Sequence, residues 1–179
     1  MEAQNLINEL LDLTLKNLKK VEALKELSIK KLNQRQHAKS WSALECIEHL
    51  NRYGDFYIPE IKKGIEKSNY KKSNVFISNF LGSYFAKSML PKEKLNKMKT
   101  FKTMNPINSF LDKTVLDKFI HQQEEILELL EKSTNTDLTN IKTPISITKW
   151  IKLKLGDTFR VLVYHNVRHI IQAENTLKS

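Results

Sequence analysis

Three histidines have the spacing that a metal site requires. Two of them, His165 and His169, lie four residues apart in the segment VYHNVRHI. On a helix, residues i and i+4 project from one face about 5–6 Å apart at Cβ, so two imidazoles can reach one ion. A third histidine could come from a facing helix, and His49 is the candidate. The ion would then have three protein ligands and one coordination position open to water or substrate, as in catalytic Zn²⁺ sites. Spacing alone leaves open that the pair is exposed or packed in a core.

Apolar residues recur at helical spacing in four long segments, which predicts an all-α protein. The predicted long helices span residues 3–36, Ser40 or Ser42 to about Lys67, Asp112 to about Lys132, and Ser146 or Thr148 to near the C-terminus. Ser42 and Glu45 have the capping-box spacing at the start of the second of these helices. A shorter helix is predicted over residues 75–89, an extended connection over 92–108 and a loop over 134–144. Long helices joined in this way predict a four-helix bundle with an extra short helix and a long crossing connection.

Length and composition predict a single domain, residues 1–179. The four glycines and four prolines are too few for an all-β sandwich or barrel. One cysteine, Cys46, excludes an intramolecular disulfide and is typical of a reducing cytoplasm, the compartment that we predict. We predict neither a signal peptide nor a membrane span, because no apolar run approaches eighteen residues.

The net charge of +10 raises the question of an anionic partner. The densest basic cluster, residues 92–102, has five lysines, no arginine and a single aromatic residue. Base readout favours arginine forks or stacking aromatics. We therefore predict no specific nucleic-acid partner and no membrane partner, and nucleic-acid association through the lysines is left as a further alternative.

Other side chains have competing interpretations. Glu45, one turn before His49, is a candidate general base or acceptor for a metal ligand, with capping as the alternative. Arg168 is a candidate for holding an anionic substrate group, with solvent exposure as the alternative. Cys46, Trp41 and Tyr53 are predicted to be packed in the core, with a reactive thiol as the alternative for Cys46 and substrate lining as the alternative for the two aromatic residues. The remaining histidines, His37 and His121, are predicted to lie on the surface.

Several segments resemble the DinB-like family of bacterial proteins. They are SWSALECIEHL (40–50), YGDFYIPE (53–60), FIHQQ (119–123), LKLGDTFR (153–160) and the pair His165-x-x-x-His169. The order also matches, with Trp-Ser before the helix of the first histidine and the pair on the last helix. The resemblance covers nearly the whole chain. It implies an up-down-down-up four-helix bundle with a divalent ion, Zn²⁺ or Ni²⁺, held by His49, His165 and His169.

The resemblance also sets the hypotheses for function. Some relatives are transferases or isomerases that use small bacterial thiols, and others are hydrolytic. We predict a metal-dependent enzyme that activates a water or a low-molecular-weight thiol towards a small-molecule substrate, with homodimer formation left open. The alternative is a non-catalytic metal-binding bundle acting in stress response or ligand sensing.

Overall fold

The computed structural model describes residues 1–91 and 100–178. Within them the chain is mostly helical and has one two-stranded antiparallel sheet. The elements in chain order are α1 (Ala3–Leu24), α2 (Ile29–Leu32), α3 (Ala43–Glu66), α4 (Phe80–Met89), a 3₁₀ turn (Lys102–Met104), α5 (Thr114–Ser133), β1 (Lys142–Ile145), β2 (Thr148–Lys154) and α6 (Leu155–Leu177).

The four long helices, α1, α3, α5 and α6, contain most of the core. Both α1 and α3 pack against α5 and α6, and the short α4 packs against α6. Buried side chains form two apolar clusters, one around Phe76 and Phe159 and the other around Leu44, Leu116 and Phe119. The predicted helical class is therefore confirmed, although the sheet was not expected.

The second predicted helix begins where its capping box predicts. The Ser42 hydroxyl accepts a hydrogen bond from the Glu45 amide at 3.2 Å, and the Glu45 carboxylate accepts one from the Ser42 amide at 2.8 Å. These bonds satisfy amides that a helix start otherwise leaves unpaired. The start of α3 at Ala43 is confirmed, and its end at Glu66 agrees with the predicted end near Lys67.

The prediction of one helix over residues 3–36 is wrong. Helix α1 ends at Leu24, and the Ser28 hydroxyl caps the separate short helix α2 by accepting from the Lys31 amide. Leu27 and Leu32 on either side of this cap still pack into the same core cluster. Because the apolar spacing continues through the break, periodicity could not detect it.

The predicted helix over residues 75–89 is shorter than expected. Helix α4 begins only at Phe80, where the Asn79 side chain caps it. The preceding residues pair instead with the N-terminus: the Phe76 amide donates to the Met1 carbonyl at 3.0 Å, and the Ala3 amide donates to the Asn74 carbonyl at 2.9 Å.

The prediction that the last helix begins at Ser146 or Thr148 is also wrong. Strands β1 and β2 form a hairpin over residues 142–154, so the predicted loop over 134–144 is partly strand. Thr143 and Leu153 are directly opposite each other in this hairpin, and both are buried. This inward pair fixes the hairpin on the helical core, and α6 starts only at Leu155.

The third long helix, α5, begins at Thr114, two residues after its predicted start at Asp112. Asp112 accepts from the Thr114 amide at 3.0 Å, but the residue at the cap position is Lys113. Of the predicted connection over residues 92–108, residues 92–99 lie outside the described part of the chain. In residues 1–91 and 100–178, no helix is both long and apolar enough to cross a bilayer.

Candidate metal centre

Helices α3 and α6 bring the three candidate histidines together. The capping box sets the start of α3, which places His49 in its second turn, facing α6. His165 and His169 are one turn apart in α6 and present one face to α3. One ring nitrogen from each histidine lies within 4.8 Å of those of the other two. The predicted convergence of the three side chains is therefore observed.

The three imidazole rings are in mutual contact. The Nε2 atoms of His49 and His165 are 3.2 Å apart. Ring centroids are separated by 5.0 Å for His49 and His165, and by 4.6 Å from His169 to each of the others. All three pairs meet edge to face.

Hydrogen bonds to two of the rings set which nitrogen carries the proton. His49 Nδ1 lies 2.7 Å from the Met104 carbonyl oxygen, and His169 Nδ1 lies 2.9 Å from Gln172 Oε1. Both oxygens can only accept, so each Nδ1 must donate its hydrogen and each Nε2 must hold a lone pair. This is the tautomer that a metal ligand requires, with the ring held by a second hydrogen bond.

Two aromatic side chains pack around the histidines. Trp41 lies with its ring 4.7 Å from that of His49 and 5.7 Å from that of His169. Tyr53 lies 4.9 Å from His49 and 4.6 Å from His165. Trp41 also donates from Nε1 to the Asn105 side chain at 3.1 Å. The predicted burial of Trp41 is confirmed, Tyr53 is only partly buried, and both line the histidine group.

Burial keeps the histidines uncharged. His49 and His165 are buried and His169 is partly buried. Loss of water lowers the pKa of His49 to about 4, and it lowers the pKa values of His165 and His169 well below the usual range for histidine. Nearby positive charge acts in the same direction, from Arg52 on His49 and from Arg168 on the other two. The group therefore offers neutral imidazoles near pH 7.

The donor set fits a divalent transition metal. Zinc–nitrogen distances of about 2.0–2.1 Å in tetrahedral geometry separate two ligand atoms by about 3.3–3.4 Å. The 3.2 Å between the Nε2 atoms of His49 and His165 is close to this value. Imidazole nitrogen suits Zn²⁺, Ni²⁺ and Cu²⁺ better than Mg²⁺ or Ca²⁺, which prefer oxygen. Within the described residues no carboxylate belongs to the group, so three neutral donors would leave a position for a further ligand.

Glu45 is fully buried and heavily hydrogen bonded. Four donors engage its carboxylate: Arg35 Nη2 at 2.6 Å, Arg35 Nε at 2.9 Å, the Ser42 amide at 2.8 Å and the Ser109 amide at 3.2 Å. The carboxylate thereby ties the start of α3 to the segments on either side of it. Capping, the alternative to a catalytic role, is confirmed, and the role as general base stays a prediction.

The structure decides between the alternatives for Arg168 and confirms the predicted placement of Cys46, His37 and His121. Arg168 is buried rather than exposed to solvent, and desolvation lowers its pKa. Cys46 is fully buried, and burial raises the pKa of its thiol, so it is not poised to react. His37 and His121 are exposed. The sequence analysis did not identify the Met104 carbonyl or Gln172 as hydrogen-bond partners of the histidines. No sequence pattern indicates the Met104 carbonyl. Gln172 could have been found, because it lies three residues after His169 on the same helix.

Comparison with known proteins supports the same family as the residue pattern. A family profile described as the DinB superfamily matches residues 10–173. Searches of curated proteins and of solved structures gave no significant match.

Proposed function

Because this chain belongs to the DinB superfamily, we propose that it is a metal-dependent enzyme whose ion is held by His49, His165 and His169. Zn²⁺ and Ni²⁺ are the proposed metals. The observation that carries this proposal is the convergence of three neutral imidazoles, with no carboxylate in the group among the described residues. When bound there, the ion would lower the pKa of a water or a small thiol and so supply a nucleophile near neutral pH.

The residues around the histidines favour an anionic ligand. Arg168 acts electrostatically on His165 and His169, and three neutral donors leave the charge of a divalent ion uncompensated. A thiolate, a hydroxide or a carboxylate would therefore bind more favourably than a neutral molecule. We propose that Arg168 holds the anionic group of a small-molecule substrate.

Glu45 is proposed to act by positioning His49. Its carboxylate binds Arg35, the Ser42 amide and the Ser109 amide, and so it fixes the first turn of the helix that carries His49. A general base would need an oxygen able to accept a further proton from substrate. Comparing Glu45→Gln with the parent protein separates these two roles. If Glu45 is a general base, the variant loses the rise of activity with pH that the base causes. If Glu45 only positions His49, the variant binds metal more weakly and the pH dependence of its activity is unchanged.

Side-chain contacts support an up-down-down-up arrangement of the four long helices. Glu9 binds Tyr164 and Lys20 binds Glu174, so α1 and α6 run in the same direction. Lys25, just after α1, binds Asp117 near the start of α5, so α5 runs opposite to α1.

Contacts of α3 complete this arrangement. Asn51 binds the Val115 carbonyl and Asp55 binds Lys118, so α3 and α5 run in the same direction. Trp41 lies against His169 and Tyr53 against His165, so α3 and α6 run in opposite directions. Such a bundle places a core metal site between facing helices.

The test uses protein purified without an affinity tag and loaded with Zn²⁺ or Ni²⁺. Cysteine, glutathione and coenzyme A are each offered with 1-chloro-2,4-dinitrobenzene, where a C–S bond forms, chloride leaves and the thiol proton goes to buffer. Hydrolysis of 4-nitrophenyl acetate tests the water route. We expect one route to be accelerated, to fail in His165→Ala and to persist in His121→Ala, which removes an exposed histidine instead. A metal-loaded protein inactive in both assays would favour the non-catalytic alternative.

A further inference from the structure

A basic groove lies between the end of α3 and the β1–β2 hairpin. It has a volume of about 600 Å³, within the range of small-molecule sites. Gly64 makes the groove possible, because a Cβ at this position would lie 3.2 Å from the Thr143 side chain and 3.4 Å from that of Ile141. Because this residue is a glycine, the hairpin can pack close to α3. The end of α3 and the hairpin then form the two sides of one groove.

Five lysines from three elements line this groove. They are Lys63 and Lys67 at the end of α3, Lys142 on β1, and Lys149 and Lys152 on β2. All five are exposed. The only carboxylate among the lining residues is that of Glu60, and none of the ion pairs in residues 1–91 and 100–178 involves the five lysines.

Strand pairing in the hairpin brings lysines close together. Lys63 and Lys67 lie at a helix C-terminus, where a cation is favourable. By contrast, Lys142 stands directly opposite Lys154 in the antiparallel pair, and Lys152 is opposite Pro144 on the same face. The Lys154 ammonium is held away from the groove, where it donates to the Ile77 carbonyl at 2.7 Å. Like charges close together on a sheet repel, and an anion bound between the strands and α3 would offset the repulsion among the lysines that line the groove.

The groove is separate from the histidine group. Lys63 follows His49 by fourteen residues on α3, which corresponds to about 21 Å along the helix axis. An anion in the groove could not touch the three histidines.

We propose that this groove binds a small ligand that carries several phosphates, such as a nucleoside triphosphate. Lysine is a common phosphate ligand that acts as a point charge. The concave shape suits a compact molecule better than a flat bilayer. Lysines without arginine provide no means of reading bases, which argues against a sequence-specific nucleic acid.

The test measures fluorescence anisotropy with a labelled nucleoside triphosphate at nanomolar concentration, too little to strip metal from the protein. Inorganic tripolyphosphate should displace the labelled nucleotide. Because tripolyphosphate has no base or sugar, this displacement would show that the protein recognises the phosphates. The double variant Lys149→Gln/Lys152→Gln should bind about tenfold more weakly, since two favourable charge contacts are lost. The matched control, Lys16→Gln/Lys19→Gln, has the same charge change on the exposed face of α1 and should bind normally.

Additional variants and competitors distinguish binding in the groove from binding elsewhere on the protein. His165→Ala should retain binding, because the ligand does not use the histidines. If both double lysine variants bind the nucleotide equally weakly, the net positive charge of the protein attracts the ligand and there is no specific site in the groove. If His165→Ala loses binding, the phosphates bind at the histidine group instead. Either result would overturn the proposal. Failure to compete with tripolyphosphate, or tighter binding to vesicles of anionic lipid or to an oligothymidine, would also overturn the proposal.

Discussion

Gln172 Oε1 lies 2.9 Å from Nδ1 of His169, one turn earlier on the same helix. This hydrogen bond leaves Nε2 of His169 with its lone pair available and fixes the plane of the ring. The Met104 carbonyl does the same for His49 from a different part of the chain, at 2.7 Å. Two of the three candidate ligands are therefore oriented before any ion arrives, which is the arrangement that raises metal affinity.

Replacing Gln172 with Leu should weaken metal binding by roughly 10–100-fold, because the ring of His169 loses the partner that orients it. Competition with a chromophoric chelator measures the affinity. Gln172→Glu keeps an acceptor at the same place and should retain most of the affinity. Gln34→Leu, at an exposed glutamine, is the matched control. Equal affinity in Gln172→Leu and the parent would contradict a positioning role.

Purified protein should contain about one divalent ion per chain, and changing His49, His165 or His169 singly to Ala should abolish or greatly weaken binding. Each imidazole supplies one of only three protein donors. Elemental analysis measures the stoichiometry, with His37→Ala and His121→Ala as controls at exposed histidines. Unchanged metal content in His165→Ala would remove that residue from the site.

Chelation should leave the helical circular dichroism intact and lower the melting temperature by only about 2–6 °C. Two apolar core clusters already bury the long helices, so the fold does not depend on its ion. Thermal scans with and without EDTA measure the shift. His165→Ala, which should bind no ion, is expected to show no EDTA effect. Complete unfolding of the parent on chelation would make the ion structural and weaken the catalytic proposal.

The metal-free protein should lose stability when the pH falls from 7.5 to 5.5. The pKa of His49 is about 4 in the folded state and close to 6.5 when unfolded, so the unfolded chain takes up the proton first. Stability is therefore full above pH 6.5 and declines as the pH falls towards 4. At pH 5.5 the loss should be about 1 kcal/mol per buried histidine.

Urea unfolding at the two pH values measures this loss. His49→Gln should reduce the difference between pH 7.5 and pH 5.5, whereas His121→Gln should leave it unchanged. A pH difference that is the same in His49→Gln as in the parent would show that the loss has another origin.

Cobalt-substituted protein should change its visible spectrum when a small thiol or azide is added, because three protein ligands leave a position for an added one. His169→Ala should remove the response. Cys46→Ala should retain it, because that thiol is fully buried and is not among the candidate ligands. A spectrum indifferent to every added ligand would indicate a closed site and a non-catalytic protein.

The sequence by itself determined the features that depend on short-range spacing. The His165–His169 pair is one helical turn apart wherever that helix packs, and the Ser42–Glu45 capping box closes within four residues. Both could be predicted because the atoms involved are connected by a few rigid backbone units. His49 was a candidate from its place on a second predicted helix, and the resemblance to a known family matched it to the other two histidines.

Tertiary packing decided the rest. Apolar spacing runs unbroken past Leu24, because Leu27 and Leu32 remain in the core after the helix has ended. The hairpin over residues 142–154 buries Thr143 and Leu153 together against the helices, a long-range packing gain that the local sequence does not reveal. The proton positions on the candidate ligands and the gathering of lysines in the groove depend on contacts between segments far apart in the chain. Local spacing contains no information about such contacts, because they exist only once the helices have packed.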